Sequence, residues 1–445
     1  MSAAVGSELR RPPAGAVDLR LQAGEEAGRF AEALDAHRMG ARLAAALGSG
    51  PRPCHVLDAK YEPGVRGVVL YQCGGDLVRG DLLLGEATSG RGFPVVQPGV
   101  RLSVFPQEPS LPTLTRVMAA SEIGPVLAGA LSEQGHEQAH ALARRCRVEL
   151  LRYRPGRRAT VRVRPALAGP AYIGKVYHDP TKAAAVAEEA RGLARTLAAD
   201  GTLRYAPTLA YLPELSLVVQ GAVRGEPLER LLSGPGGASS AAADGVRRAA
   251  AALAQLHCSP MVTTRQRPVG KELRRFVTRA DQVATADPRT GGLLRGLAER
   301  LLRTYDELPP GRVGMVHGDC KPGQFLLGED VVYLLDLDHC GISDQAGDVG
   351  TFLASLRQLA VRRLTAKARP ALAVDLLDLA AIFRSTYLRH FDGDEGLPAR
   401  IPWHEAMALQ RKALRAFARA PRSPLTAALV AEGHRCLAQL KNGKS

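Results

Sequence analysis

At 445 residues the chain is too long for one compact core, and its 46% hydrophobic and 23% charged residues argue against a chain disordered throughout. A formal net charge of +15 suits an anionic surface, nucleic acid or a phosphorylated ligand, but it bears on association and solubility, not on fold. Seven scattered cysteines, odd in number and with no C-x-x-C pair, argue against a disulfide framework or a zinc ribbon and fit a reducing cytoplasm. The opening MSAAVGSELRRPPAG lacks the basic-then-apolar order of a secretory signal, and no apolar run is long enough to span a bilayer. The expectation is a soluble, cytoplasmic protein with no membrane partner.

In chain order, the first pattern is a repeat. CHVLDAKYEPGVRGVVLY from Cys54 and CRVELLRYRPGRRATVRV from Cys146 coincide at a constant offset, pairing Tyr61 with Tyr153, Pro63 with Pro155, Gly64 with Gly156, Arg66 with Arg158 and Val69 with Val161. Each copy predicts strand, Pro-Gly turn, strand, so a small β unit is duplicated in degenerate form. Between them lie prolines at Pro106, Pro109 and Pro112 and Ala-rich helical segments, which place a boundary near residue 140.

After the second hairpin, residues 171–177 predict a short strand carrying Lys175. A helix follows, with Asp179 as cap, Pro180 in its first turn and Asp200-Gly201 as its stop. Val186, Ala190, Leu193 and Leu197 form its buried stripe; Glu189 borders the stripe and Glu188 lies further round. The stretch SLVVQGAVRGEPLERLL (216–232) predicts an apolar strand ending at Gln220-Gly221, then a linker between lobes. From there the pattern is mainly helical, over 246–257, 371–391, 404–418 and 425–440. The exceptions are two strands flanking VHGDCKPGQ (316–324), expected as a hairpin-like island in a helical domain.

Asp319, Gln324 and Asp336 offer one carboxylate for a reacting hydroxyl and two oxygen ligands for a cation. Phosphoryl transfer requires those parts: a phosphate held in line with a nucleophile, its charge neutralised by magnesium, and a carboxylate to orient the attacking hydroxyl. A lone His-Gly-Asp is weak evidence. Its coincidence with apolar VGMV before it, apolar VVYLL before Asp336, and a lysine then a glutamate on strand and helix upstream is stronger.

On these residues the chain resembles the aminoglycoside phosphotransferase and choline kinase superfamily, whose fold is that of the protein kinases. The likeness runs over about residues 146 to 360. The family pattern of His-Gly-Asp, four residues, Asn, then an apolar strand ending in Asp, and later Asp-x-hydrophobic, is met by His317-Gly318-Asp319, Gln324, Asp336 and Asp348-Val349. The resemblance implies that Asp319 is the catalytic base, that Gln324 and Asp336 bind Mg2+, and that Asp348 braces the catalytic loop. It makes Lys175 the partner of the α- and β-phosphates of ATP (or GTP), with Glu189 as its ion-pair anchor and Glu188 as the alternative. It places adenine at the backbone near Val219 and Gly221, and GEPL (225–228) and LAQLH (253–257) match further landmarks. His317 is expected to orient backbone.

Two departures stand out. Gln324 replaces the usual Asn, as in maltokinase-like relatives, and RYRPGRRATVRVR (152–164) has one glycine and six arginines where protein kinases place a Gly-rich turn. The Gly156 amide is still expected to approach phosphate, while the alternating arginines read by default as a solvated face. Asp338 would point away from Asp336 if the strand continues, which favours a surface or capping role over metal, with a second-cation role as the alternative.

The resulting expectation is an α+β, bilobal protein-kinase-like fold with an additional N-terminal domain: residues 1–140, an N-lobe over 141–222, and a helical C-lobe over 223–445. The acceptor is expected to be a small-molecule hydroxyl on a sugar, aminoglycoside or similar metabolite. The charge of +15 disfavours a polycation and favours a neutral or anionic compound. Two other readings stay open: a catalytically silent kinase-like scaffold, and a basic nucleic-acid-binding protein, the latter disfavoured by the few aromatics among the arginines.

Overall fold

A computed structural model describes residues 19–48, 50, 52–84, 94–196, 201–233, 239–260, 263–365 and 370–442. Two helices, α1 (Leu19–Ala33) and α2 (Ala36–Ala46), lead into strands β1 (Cys54–Glu62), β2 (Arg66–Cys73), β3 (Asp76–Leu82), β4 (Val95–Val96) and β5 (Val100–Val104). Short helices α3 (Leu114–Met118), α4 (Ala120–Ser132) and α5 (His140–Arg144) precede β6 (Cys146–Arg154), β7 (Arg158–Pro165) and β8 (Tyr172–Tyr177). Then come α6 (Pro180–Arg195), β9 (Leu203–Tyr205), β10 (Thr208–Leu212) and β11 (Leu217–Gly221).

The repeat extends well beyond a hairpin. The first sheet runs β1-β2-β3-β5-β4 and the second β6-β7-β8-β11-β10, all antiparallel, so the same strand order occurs twice. Both hairpins carry a register bulge, between Val56 and Asp58 in one and between Leu150 and Arg152 in the other. Their Pro-Gly turns place Gly64 at φ +66° and Gly156 at φ +72°, a conformation that side chains with a Cβ rarely adopt. The second sheet inserts a full helix, α6, between its third strand and the next. As the sequence predicts, Asp179 caps α6 by accepting from the Lys182 amide (3.1 Å) with Pro180 in the first turn. Leu197 and Asp200 lie outside the described residues.

The carboxy-terminal part comprises β12 (Glu226–Pro227), α7 (Leu228–Ser233), α8 (Ser240–Cys258), α9 (Val269–Ala286), α10 (Pro288–Tyr305), β13 (Val313–Val316), β14 (Phe325–Leu327), β15 (Val332–Leu334) and β16 (Gly341–Asp344). Helices α11 (Ala346–Thr365), α12 (Pro370–Leu388), α13 (Gly396–Arg419) and α14 (Leu425–Asn442) close the chain. The expected hairpin-like island is in fact two small sheets: β13 pairs with β16, whereas β15 lies between β14 and β9. The reason is long-range pairing, since β15 takes β9 as its parallel partner besides its sequence neighbour β14, and β14 takes β12, both from distant segments.

Core packing ties the pieces together. Leu114, Val117, Ile123 and Leu127 from α3 and α4, which precede residue 140, and Leu142 from α5 pack beneath the second sheet with Val161, Val163 and Val219. The first sheet shares its core with the carboxy-terminal helices, where Phe30, Met39, Tyr61 and Tyr71 meet Phe276, Leu297, Trp403, Phe417 and Leu437. Tyr61 stands between Phe30, stacked at 4.7 Å, and Phe417, at 6.4 Å. No helix among the described residues is long and apolar enough to cross a membrane. Because that core is common property, Phe417→Ala is expected to cost about 3–5 kcal/mol. In urea, Trp403 fluorescence and far-UV circular dichroism should then shift to a lower midpoint together; two separate midpoints would show independent cores.

Candidate active site

The site forms where β13 and β15 end side by side. Beyond Val316 the chain turns, and the Asp348 carboxylate at the start of α11 accepts the His317 amide (2.6 Å) and the Gly318 amide (2.8 Å). Asp348 is itself buried against His257 Nε2 at 3.2 Å, and His257 Nδ1 meets the Tyr387 hydroxyl at 2.6 Å. Gly318 sits at φ +74°, and a Cβ there would run into the His339 carbonyl. His317 Nε2 donates to the Leu335 carbonyl (2.8 Å), while its Nδ1 accepts from the Asp319 amide (3.3 Å), which sets the imidazole as a spacer between the two loops. The Leu335 amide returns a bond to the Gln324 carbonyl (2.8 Å).

Asp319 is half-buried at the end of this lacing. Burial opposes its ionisation, but Lys321, Arg415 and His317 outweigh it and hold the carboxyl down at about 2. Lys321 contacts it directly, and the Gln324 amide nitrogen approaches it at 3.4 Å.

Asp336, two residues past the end of β15, adopts a left-handed conformation, φ 63° and ψ 57°, and a tight turn over Leu337–His339 follows. That turn brings Asp338 back to the same side, corrected from the surface or capping role read from sequence, because the strand stops at Leu334 and its alternation stops with it. Asp338 is 4% exposed and accepts the Tyr177 hydroxyl at 2.8 Å. Arg158 from β7 grips Asp336 with two nitrogens, at 2.8 and 3.0 Å, and also contacts Asp338. Lys175 Nζ from β8 stands 3.5 Å from Asp336 and 3.7 Å from Asp338. Burial works against the Asp336 charge, yet Arg158 and Lys175 hold its carboxyl far below the usual carboxylate range.

A model of the phosphotransferase enzyme family (APH) matches residues 149–385, more than half of the chain, a span that includes Arg158, Lys175, Asp319, Gln324, Asp336, Asp338 and Asp348. The chain belongs to that family. Among solved structures it is similar to amicoumacin kinase hAmiN in complex with AMP-PNP, Ca2+ and Ami, at 13% identity and a TM-score of 0.45, over 66% of this chain and 88% of that one. It is also similar to a choline/ethanolamine kinase family protein from Mesorhizobium loti, at 17% identity and a TM-score of 0.40, over 65% and 87%. Choline kinase from Cryptosporidium parvum Iowa II gives 11% identity and a TM-score of 0.45, over 67% and 91%. No curated protein matches.

Several residues of this phosphotransferase family member stand elsewhere than the sequence implies. Glu189 does not meet Lys175; it binds Arg265 Nη2 at 2.6 Å and the Thr263 hydroxyl at 2.8 Å, while Glu188 is exposed. Lys175 has Asp336 and Asp338 in its place. The Gly156 amide faces no open cleft but donates to Glu108 at 3.3 Å, and the Glu108 carboxylate also takes the Tyr153 hydroxyl and Arg79. Val219 is paired on both sides, with Ala210 and Gly174, and the Gly221 amide donates to the Pro207 carbonyl at 2.9 Å, so neither offers that backbone to a base. The connecting segment at 222–225 is where the lobes join. Sequence reading missed Arg158 and Tyr177; the signal for Arg158 was present, as the first residue after the turn of an arginine-laden hairpin, but alternation filed it with the solvated face.

Asp336 and Asp338 share Arg158 and Lys175, and the Gln324 amide lies beside Asp319; carboxylate and amide oxygens are the hard donors that a magnesium-type cation completed by phosphate takes. The cations already on Asp336 and Asp338 show that this point attracts positive charge. Among the described residues no group of three or more His, Cys, Asp or Glu side chains is placed to hold a metal alone. Arg158→Met is expected to lower stability at pH 7 by about 3–5 kcal/mol, since two buried carboxylates lose their partner. The deficit, read by urea unfolding, should shrink toward pH 4, where one carboxyl can take up a proton, and shrink again with millimolar Mg2+. A deficit independent of both would mean that Arg158 acts through packing alone.

Proposed function

We propose that this small-molecule phosphotransferase moves the γ-phosphoryl group of ATP or GTP to a hydroxyl of a sugar, aminoglycoside or similar metabolite. What carries the reading is convergence. Lys175 from one lobe ion-pairs with Asp336 from the other, and the Asp336 loop is hydrogen-bonded through His317 and Gln324 to the loop that bears Asp319.

In this reading the triphosphate lies against Lys175, with Arg158 and Arg154 near its tail, and the base rests by the 222–225 segment. Arg154 stands within electrostatic reach of both Asp336 and Asp319. Asp336 and Gln324 would hold Mg2+, with Asp338 as a further oxygen, and the cation would offset phosphate charge. Arg158 must then release Asp336, and the nearby phosphates offer its guanidinium an alternative partner of the same bidentate geometry. Asp319, ionised at neutral pH, accepts the hydrogen bond of the acceptor hydroxyl and takes its proton as the new oxygen–phosphorus bond forms. Asp348 acts through the loop backbone, setting the angle at which Asp319 is presented.

A silent scaffold is the second reading, favoured by the Arg158 clamp on Asp336. Nucleotide consumption with a panel of hydroxyl acceptors separates the two. The transferase reading expects acceptor-dependent ADP release, with Asp319→Asn slower by roughly 10² or more. Equal rates in that variant would remove Asp319 from the chemistry, and no release with any acceptor would favour the scaffold.

A further inference from the structure

The wall facing Asp319 is positive, and part of that charge has no internal partner. Arg411, Lys412 and Arg415 lie on one stretch of α13, and Lys321 joins them from the catalytic loop. Arg411 is satisfied by Glu272, at 2.6 and 2.9 Å. Among the described residues Lys412 meets no carboxylate: its ammonium donates to the Ser355 hydroxyl (3.0 Å) and the Gln358 amide oxygen (3.2 Å), both neutral. Burial first, and then Arg415 and Lys321, press its pKa down to about 7, against a partial counterweight from Asp319. Arg415 is exposed and has no hydrogen bond or ion pair among the described residues. Four cations thus stand against two carboxylates, Asp319 and Glu272. The only acidic side chain within α13 itself, Glu405, is bound by Arg357 at 2.6 Å. Behind the loop lies a cavity of about 360 Å³ lined by Arg267, Lys271, Arg275 and Arg411 together with the carboxylates Glu272, Asp344 and Asp348.

Holding like charges together in a half-buried place is costly unless something anionic joins them. We propose that the acceptor is itself an anion, a hydroxyl compound whose phosphate or carboxylate is held by Lys412 and Arg415 beside Lys321 while its hydroxyl faces Asp319. The assignment of the hydroxyl rests on the phosphotransferase reading above; the anion subsite does not. Arg415 and Lys412 are specificity residues here, and a polycationic acceptor is excluded by the same charges that recruit the anion.

The test is calorimetric binding to the full chain saturated with ADP and Mg2+, so that the nucleotide's own phosphate contacts are filled. Glucose 6-phosphate, glucuronate and inorganic phosphate are compared with neutral glucose. At least one of the anions should bind tenfold or more tightly than glucose, and Arg415→Gln, at an exposed position, should remove roughly tenfold of that preference; Lys412→Met should do likewise. Phosphate and glucuronate separate the two anion chemistries. Anions binding no better than glucose, or a preference unmoved by both variants, overturns the proposal. Turnover confined to neutral acceptors would also overturn it while leaving phosphoryl transfer intact, whereas anion binding lost in the variants without any turnover would uphold the subsite and remove the transferase.

Discussion

Two carboxylates buried two residues apart cannot both stay ionised without cations brought to them, and the lobes of this protein meet on that requirement. Asp336 and Asp338 come from one lobe, Arg158 and Lys175 from the other, with Tyr177 supplying a further hydrogen bond. The cost of taking these charges out of water is recovered only when all of them are present and well placed. The junction therefore fixes the approach of the two lobes, and Arg158, at the start of β7 just after the single-glycine turn, is its central cation.

The first sheet bears on the same junction from outside. In each hairpin the turn glycine donates its amide to a buried carboxylate from a preceding segment, Gly64 to Glu26 at 3.1 Å and Gly156 to Glu108 at 3.3 Å. Glu108 also takes Arg79 from β3, so the turn next to Arg158 is pinned to the first sheet. The duplicated unit shares a core with the carboxy-terminal helices, and the mouth of the site is accordingly built from three parts of the chain instead of two. Such a fixed turn trades the mobility of a covering loop for a preset position of Arg158.

Charge then sorts the chemistry. The overall +15 is a loose statement about solution behaviour. Its concentration around Asp319, on α13 and at Lys321, is a local one: it holds that carboxylate ionised.

Much of this was legible in the linear chain. The spacing of His317, Asp319, Gln324, Asp336 and Asp348 survives because a loop between two short strands has little freedom, and Asp179-Pro180 marks a helix start by local hydrogen bonding alone. The duplicated hairpin was visible for the same reason, its Pro-Gly turns being local. Tertiary structure decided the rest. Which carboxylate meets Lys175 depends on how α6 lies across the sheet, and Glu189 turned instead to Arg265. The direction of Asp338 depends on where β15 ends, and the partner of the Gly156 amide on a residue far earlier in the chain. Periodicity and capping act over a few residues and so can be read in order; charge pairing acts across space, and its outcome waits on which distant segments the core brings within reach.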